Sequence, residues 1–262
     1  AFLAPLGLVL GKKAKAREQQ RAPHHLRTLW LGGAVCGVLL AVAMNLQQVA
    51  LQESGAGKAG FLTALYILIV PVYGVFFGRK LRPAIWLCIL LAVVGLYMVS
   101  VKEGFTIARS DGLLILCAFV FAGHILVVDH LSPQVSGVQL SCIQFLVAGL
   151  LSAIPMYLVE TPNMGSILQA WGPILYTGIM SSGVAYTLQI IGQRHTKPVV
   201  ASLIMSLEAV FAVLGGMLLL GERLTPSEAV GCVLMFGATL LAQFAQLPPR
   251  EAIVQRSDHE TV

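Results

Sequence analysis

Most of the chain's side chains are apolar, so chemistry has to be sought in the few polar groups set inside long apolar runs. Glu208 is the clearest of them. It lies near the middle of the run 199–220 and shares a helical face with Ala201, Ala212 and Gly215, small residues that let another helix or a cavity come close. An ionisable group in lipid costs roughly 2.5–3.5 kcal/mol on insertion scales, so its retention needs a reason. Two are open: Glu208 is a substrate or proton site, or it is a protonated or hydrogen-bonded packing residue between helices.

A second set is neutral. Ser182, Tyr186, Gln189 and Gln193 follow one another at i, i+4, i+7 and i+11, which puts them on one face of a helix. Asn45, Gln48 and Gln52 do the same elsewhere, and Thr63 and Tyr66 extend the idea to the next run. Amides and hydroxyls in hydrocarbon need partners. Such stripes therefore serve either as the lining of a path for a polar solute or as glue between helices. His124 sits well inside its run, where it either relays protons or bonds to a neighbouring carbonyl. Asp129 and His130 fall at the end of that run, where capping or solvation accounts for them. Gly33 and Gly37 form a GxxxG pair, the mark of tight helix packing within a bundle.

Other chemistries lack their parts. No HExxH metal motif, phosphate-cradling GxxxxGK[ST] loop or pair of intrahelical aspartates occurs, so metal catalysis, ATP-driven pumping and aspartyl proteolysis have no basis. Ser181-Ser182-Gly183 resembles the serine–glycine step of intramembrane serine proteases, but Met180 stands where a second glycine belongs. No cofactor, metal or catalytic residue is expected, and no enzyme. All five cysteines lie inside apolar runs without CxxC spacing and read as small core hydrophobes.

The elements that must position these groups are membrane helices. Charged residues make up 11% of the chain, mean hydropathy is +0.82, and soluble domains carry about 25% charge. A spanning helix needs roughly 20 apolar residues. Runs that meet this test fall near 29–51, 59–78, 84–101, 112–131, 136–158, 171–190, 199–220 and 227–246, separated by turn and proline signals at Glu53–Gly57, Pro83, Pro133, Pro162, Pro198 and Pro226. The opening segment Ala1–Gly11 spans about half a bilayer and is expected to be the end of a truncated helix. Its lysines follow the apolar stretch rather than precede it, unlike a signal peptide.

Of the seventeen lysines and arginines, thirteen lie on one side of this topology and four, Lys58, Lys102, Arg109 and Arg223, on the other. Basic loops stay in the cytoplasm, which places the 12–28 loop and the C-terminus there. Basic residues in short inter-helix clusters mark a membrane surface rather than a nucleic-acid face.

Sliding the chain against itself by 142 residues lays Leu46-Gln47 on Leu188-Gln189, Ala59 on Ala201 and Gly95 on Gly237; one residue more aligns Gly78 with Gly221 and Pro83 with Pro226. Matching loops carry opposite charge bias: Lys58 stands against Arg194 and Lys197, whereas Arg79, Lys80 and Arg82 stand against a nearly neutral loop with Glu222 and Arg223. The copies therefore sit in the membrane with opposite orientation. Inverted repeats of this kind let two similar halves exchange conformations and open to either side, which is how secondary transporters work.

The stretches Tyr186-Thr-Leu-Gln-Ile-Ile-Gly-Gln193, Ala201-Ser-Leu-Ile-Met-Ser-Leu-Glu208 and Leu219-Leu-Gly221-Glu222-Arg223-Leu224 closely resemble the second repeat of EamA-type transporters of the drug/metabolite transporter superfamily. The first half is similar in Phe61-Leu-Thr-Ala-Leu-Tyr-Ile-Leu-Ile-Val-Pro71 and Phe121-Ala-Gly-His124-Ile-Leu-Val-Val-Asp129. One departure is that Glu222 corresponds to Arg79, so no acidic counterpart stands in the first half. The resemblance implies an all-α integral membrane protein of two inverted five-helix units, ten helices when intact. Of these, about eight complete helices and a partial one lie in this N-terminally truncated chain.

The first repeat is then 1–104, lacking its first helix and part of its second, the second is 105–247, and 248–262 is a disordered cytoplasmic tail. The implied function is secondary transport, with export the expected direction, of small metabolites, amino acids or drugs by alternating access in a bacterial inner membrane. Asn45, Gln48, Thr63, Tyr66, His124, Ser182, Tyr186, Gln189 and Glu208 are the candidate path. The expected partners are a small-molecule solute, the lipid bilayer and a coupling proton or other ion, with no nucleic acid. The alternatives are a membrane scaffold or receptor without transport, or an intramembrane enzyme.

Overall fold

A computed structural model describes residues 23–54, 56–78, 81–100, 109–159, 162–220 and 225–246. The opening segment, the 248–262 tail and the loop residues Arg79, Lys80, Lys102, Glu222 and Arg223 lie outside the described residues. Among those described, every regular element is helical: α1 Pro23–Leu51, α2 Ala56–Ala64, α3 Tyr66–Phe76, α4 Pro83–Ser100, α5 Arg109–Leu131, α6 Gly137–Val159, α7 Met164–Gln169, α8 Trp171–Tyr176, a π-helical stretch Thr177–Ala185, α9 Tyr186–Gln193, α10 Pro198–Ser206, α11 Glu208–Leu220 and α12 Pro226–Gln246. They form eight spans long and apolar enough to cross a bilayer. The chain is an all-α, multi-pass membrane protein.

Two spans are broken, and at the same register. The Lys58–Phe76 span gives way at Leu65, where α2 ends and α3 begins; the span opening at Pro198 gives way at Leu207, between α10 and α11. Leu207 lies 142 residues after Leu65, the offset of the internal repeat. The backbone angles agree too: φ −58°, ψ −8° at Leu65 and φ −63°, ψ −10° at Leu207.

Each break tightens the ladder to i→i−3: Leu65 N–H bonds the Leu62 carbonyl (3.3 Å) and Leu207 N–H that of Ile204 (3.1 Å). In the second half the local cause is visible. The carbonyl of Leu203, which Leu207 would otherwise take, accepts from the Ser206 hydroxyl (2.8 Å), the hydroxyl-to-backbone competition that bends helices.

The equivalent helices α4 and α12 run antiparallel against each other. Ser227 Oγ reaches the Met98 carbonyl (3.3 Å), and Arg82 Nη1 reaches that of Ala245 (2.9 Å), at the opposite end. Their contact is nearly symmetric. A Cβ on Gly95 would stand 2.7 Å from the Gly231 carbonyl oxygen, and one on Gly231 2.6 Å from that of Gly95. Only glycine admits this approach. Gly231→Val is therefore expected to cost about 1–3 kcal/mol through overpacking, read as a lower melting temperature and folded yield in detergent; an unchanged melt would show that the seam relaxes freely.

Thr225 opens α12 with a capping box: Glu228 Oε2 accepts from the Thr225 N–H and hydroxyl, both at 2.8 Å, with Pro226 at the first helical position. Around this seam, α1 packs against α5 and α6. Gly33 and Gly37 bring α1 against Ile143 and the Gln144 backbone of α6. The five cysteines are free, three buried and two half-buried.

Candidate functional site

The two broken spans supply the centre. Tyr66 is the first residue of α3 and Glu208 the first of α11, so each follows its break directly and the two occupy equivalent places in the repeat. Tyr186 is the first residue of α9, which packs against α10. Tyr66 and Tyr186 are half-buried, whereas Glu208 is exposed. It makes no hydrogen bond or ion pair among the described residues. Phe145 of α6 holds Tyr186 edge-on, ring centroids 5.4 Å apart.

Around this centre lie the other groups expected from the sequence. Thr63 is buried, accepts from Gln47 Nε2 at 3.4 Å and touches the Cys117 thiol. That thiol also donates to the Ala43 carbonyl at 3.1 Å. Asn45 Nδ2 donates to Ser152 Oγ and to the Ala41 carbonyl, each at 2.8 Å. The interhelical bond fastens α1 to α6.

Gln48 stands apart from these contacts. It is exposed, and the amide of this stripe that reaches a neighbouring helix is Gln47's, about 100° away on the helical wheel. Ser182 and Gln189 are half-buried. The fully buried face of their span runs through Gly183, Thr187, Ile190 and Gln193 instead. Thr187 on that face donates its hydroxyl proton to the Gly183 carbonyl (2.6 Å), and its oxygen lies 2.8 Å from Ser141 Oγ, which can donate to it. The π-helical stretch at 177–185 shifts the register of everything after it relative to a uniform α-helix.

His124 is buried against Gln144, Nε2 to Oε1 at 3.1 Å. Neither His124 Nδ1 nor Gln144 Nε2 has a hydrogen-bond partner. The partner of His124 is thus the side-chain carbonyl of Gln144, and Gln144, Cys117 and Gln47 are contributors the sequence did not single out. Their signal was faint, since a single amide or thiol in an apolar run marks no face.

At one end of the bundle, Lys58 Nζ pairs with Asp111 Oδ2 at 2.7 Å, with the two side chains 20% and 5% exposed. Ser54 Oγ lies 2.9 Å from Ser110 Oγ beside it. These contacts tie the turn between α1 and α2 to the start of α5. A cavity of about 540 Å³ lies nearer the other end, between α1, α3 and α5. Its walls are apolar apart from Thr28 and His130, and none of the nine candidate path residues lines it. The described residues hold no group of three or more His, Cys, Asp or Glu able to bind a metal.

The arrangement is a polar centre in an apolar helix bundle, fed by two symmetry-related broken helices, which suits a solute site at mid-membrane. Comparison with known proteins identifies the family. The EamA-like transporter family profile matches residues 2–101 and again 109–244. An "uncharacterized transporter" of Archaeoglobus fulgidus is 31% identical over 215 residues, 80% of this chain and 67% of that protein. The threonine/homoserine exporter RhtA of Escherichia coli K12 is 28% identical over 167 residues, 61% of this chain and 56% of the exporter. A solved crystal structure superposes with a TM-score of 0.68 at 19% identity, over 93% of this chain and 94% of its own, and shares the fold. By sequence and architecture, this membrane protein belongs to the EamA-like transporter family.

Proposed function

We propose that the chain moves a small polar metabolite, of amino-acid type, out of the cell by alternating access between two inverted repeats, residues 1–104 and 105–247. The observation that carries this is the pair of breaks at Leu65 and Leu207, each followed directly by a residue of the polar centre. Equivalent hinges in oppositely oriented halves allow one half to close as the other opens. Tyr66, Tyr186 and Glu208 then form the solute centre, with Thr63, Asn45, Ser182 and Gln189 extending it along the path.

The exporter among the relatives supports amino acids as the first solutes to test. The excess of basic residues beside the 193–198 and 76–83 turns supports a cell-membrane orientation with the C-terminus in the cytoplasm. Glu208 and the buried His124 are the groups through which a proton couples to the cycle.

Sealed vesicles containing the full-length protein test this. Loaded with labelled threonine or homoserine, they are expected to release it several-fold faster than protein-free vesicles, and faster still with an imposed proton gradient. Retention of these and of a wider metabolite panel at the protein-free rate would instead favour a scaffold or receptor.

A further inference from the structure

Beside the solute centre, α5, α6 and α9 enclose a second row of polar side chains. His124 of α5 and Gln144 of α6 meet at 3.1 Å and are 1% and 0% exposed. Each lies seven residues from one end of its helix, Leu131 or Gly137, about 10 Å along the axis. One turn before Gln144, Ser141 shares its face of α6 and sits 2.8 Å from Thr187 Oγ1 of α9. The buried face of α9 continues through Ile190, whose Cγ2 would stand 3.3 Å from a Cβ on Gly137, to Gln193, 4% exposed. The row thus runs from the bundle end that carries Arg194 and Lys197 to His124.

This row holds more hydrogen-bonding capacity than the protein satisfies. His124 Nδ1, Gln144 Nε2 and both amide atoms of Gln193 are buried and have no hydrogen-bond partner. With Gln144 Oε1 accepting from His124 Nε2–H, Nδ1 is left as an acceptor and the Gln144 amide nitrogen as a donor. Gln193 likewise leaves one donor group and one acceptor open. An anion would answer only the donors and a cation only the acceptors. Water supplies both in one molecule and is the usual partner of buried polar groups left open by the protein.

We propose that water enters the bundle at the Arg194 end, threads the seam between α5, α6 and α9, and gives His124 its proton contact with that side of the membrane. A water at Nδ1 passes a proton to the imidazole while taking one from the next water, so charge moves without a molecule crossing. The other titratable side chains that α1, α5, α6 and α9 bring to this part of the bundle are the Cys36, Cys117 and Cys142 thiols and the Tyr186 hydroxyl, which keep their protons near neutral pH in ordinary surroundings. Asp129 and His130 sit in the last turn of α5. The proton role rests on the transporter reading, whereas the hydration does not.

Full-length protein in lipid bilayers, isotope-labelled at histidine and isoleucine, tests the hydration by solid-state NMR in which magnetisation starts on water. The His124 ring, identified by its loss in His124→Gln, is expected to receive that magnetisation several-fold faster than the buried Ile125 beside it. Thr187→Val with Ser141→Ala should slow the transfer to His124 several-fold, with unchanged isoleucine shifts reporting an intact fold. Equally slow transfer to His124 and Ile125, or an unaltered rate in the double variant, would overturn the proposal. In sealed vesicles the double variant should lose most of the acceleration by a proton gradient and keep solute exchange without one. Undiminished acceleration with a dried seam would overturn the proton role. A hydrated seam in vesicles that move no solute would uphold the water and sink the transport.

Discussion

Oxidised, a protein carrying Ser54→Cys together with Ser110→Cys is expected to move solute about tenfold more slowly or worse, and to recover on reduction, because a covalently held closure removes one conformation from the cycle. The two hydroxyl oxygens lie 2.9 Å apart, close enough for sulfur atoms that bond at about 2 Å with small local adjustment. Beside them the Lys58–Asp111 pair already holds the same two segments together. Each single substitution should transport normally under both conditions, since neither can form the bridge. Asp111→Asn should loosen the closure, and exchanging the two charges, Lys58→Asp with Asp111→Lys, should restore it. Complete cross-linking with undiminished transport would show that the two segments never separate.

Glu208→Gln is expected to cut net solute movement by about tenfold at equal protein levels, since a carboxyl that survives in a membrane span is retained for function by default. The amide keeps the size of the side chain and removes its titration. Because Glu208 makes no hydrogen bond or ion pair among the described residues, the variant should fold in wild-type amounts, which a packing residue would not allow. Tyr66 and Tyr186, which open their helices as Glu208 does, retain their protons through the physiological range in ordinary surroundings, so the pH dependence of transport should weaken when Glu208 is replaced, and what remains should belong to His124. Wild-type rates with an unchanged pH profile would assign the carboxyl to the architecture alone.

How far the sequence leads depends on which physical signal carried each feature. Span positions follow from hydrocarbon thickness, and the runs near 84–101 and 136–158 differ from Pro83–Ser100 and Gly137–Val159 by about a residue at each end. The repeat is legible because Pro83 and Pro226 start equivalent helices and local chemistry recurs at a fixed offset. Rotation about the helix axis is far less legible. In water a polar stripe marks the outside, but lipid and protein interior are both apolar, so nothing in α1 says whether Gln47 or Gln48 turns inward.

The breaks were equally hidden. Leucine is a good helix former, and the bend at Leu207 goes with a Ser206 hydroxyl folded back onto the Leu203 carbonyl, a rotamer choice that the serine alone does not announce. The π-helical stretch that displaces Ser182 has no residue signature of its own. Lys58 read as a loop charge useful for topology, because its partner Asp111 lies 53 positions away and only the folded chain brings them together.

The closure at Lys58 and Ser54 also breaks the symmetry that the twin hinges set up. One repeat length on, their counterparts are Val200 and Thr196, and valine cannot form an ion pair. Two halves alike in their hinges but unlike in their fastenings give end states of unequal free energy. Such a bias cannot decide which way solute runs, for that is fixed by the gradients of solute and coupling ion. It decides where the empty carrier waits. The face presented at rest meets solute first, so half-saturation differs between the two sides of the membrane, and microscopic reversibility requires the maximal rates to differ in compensation.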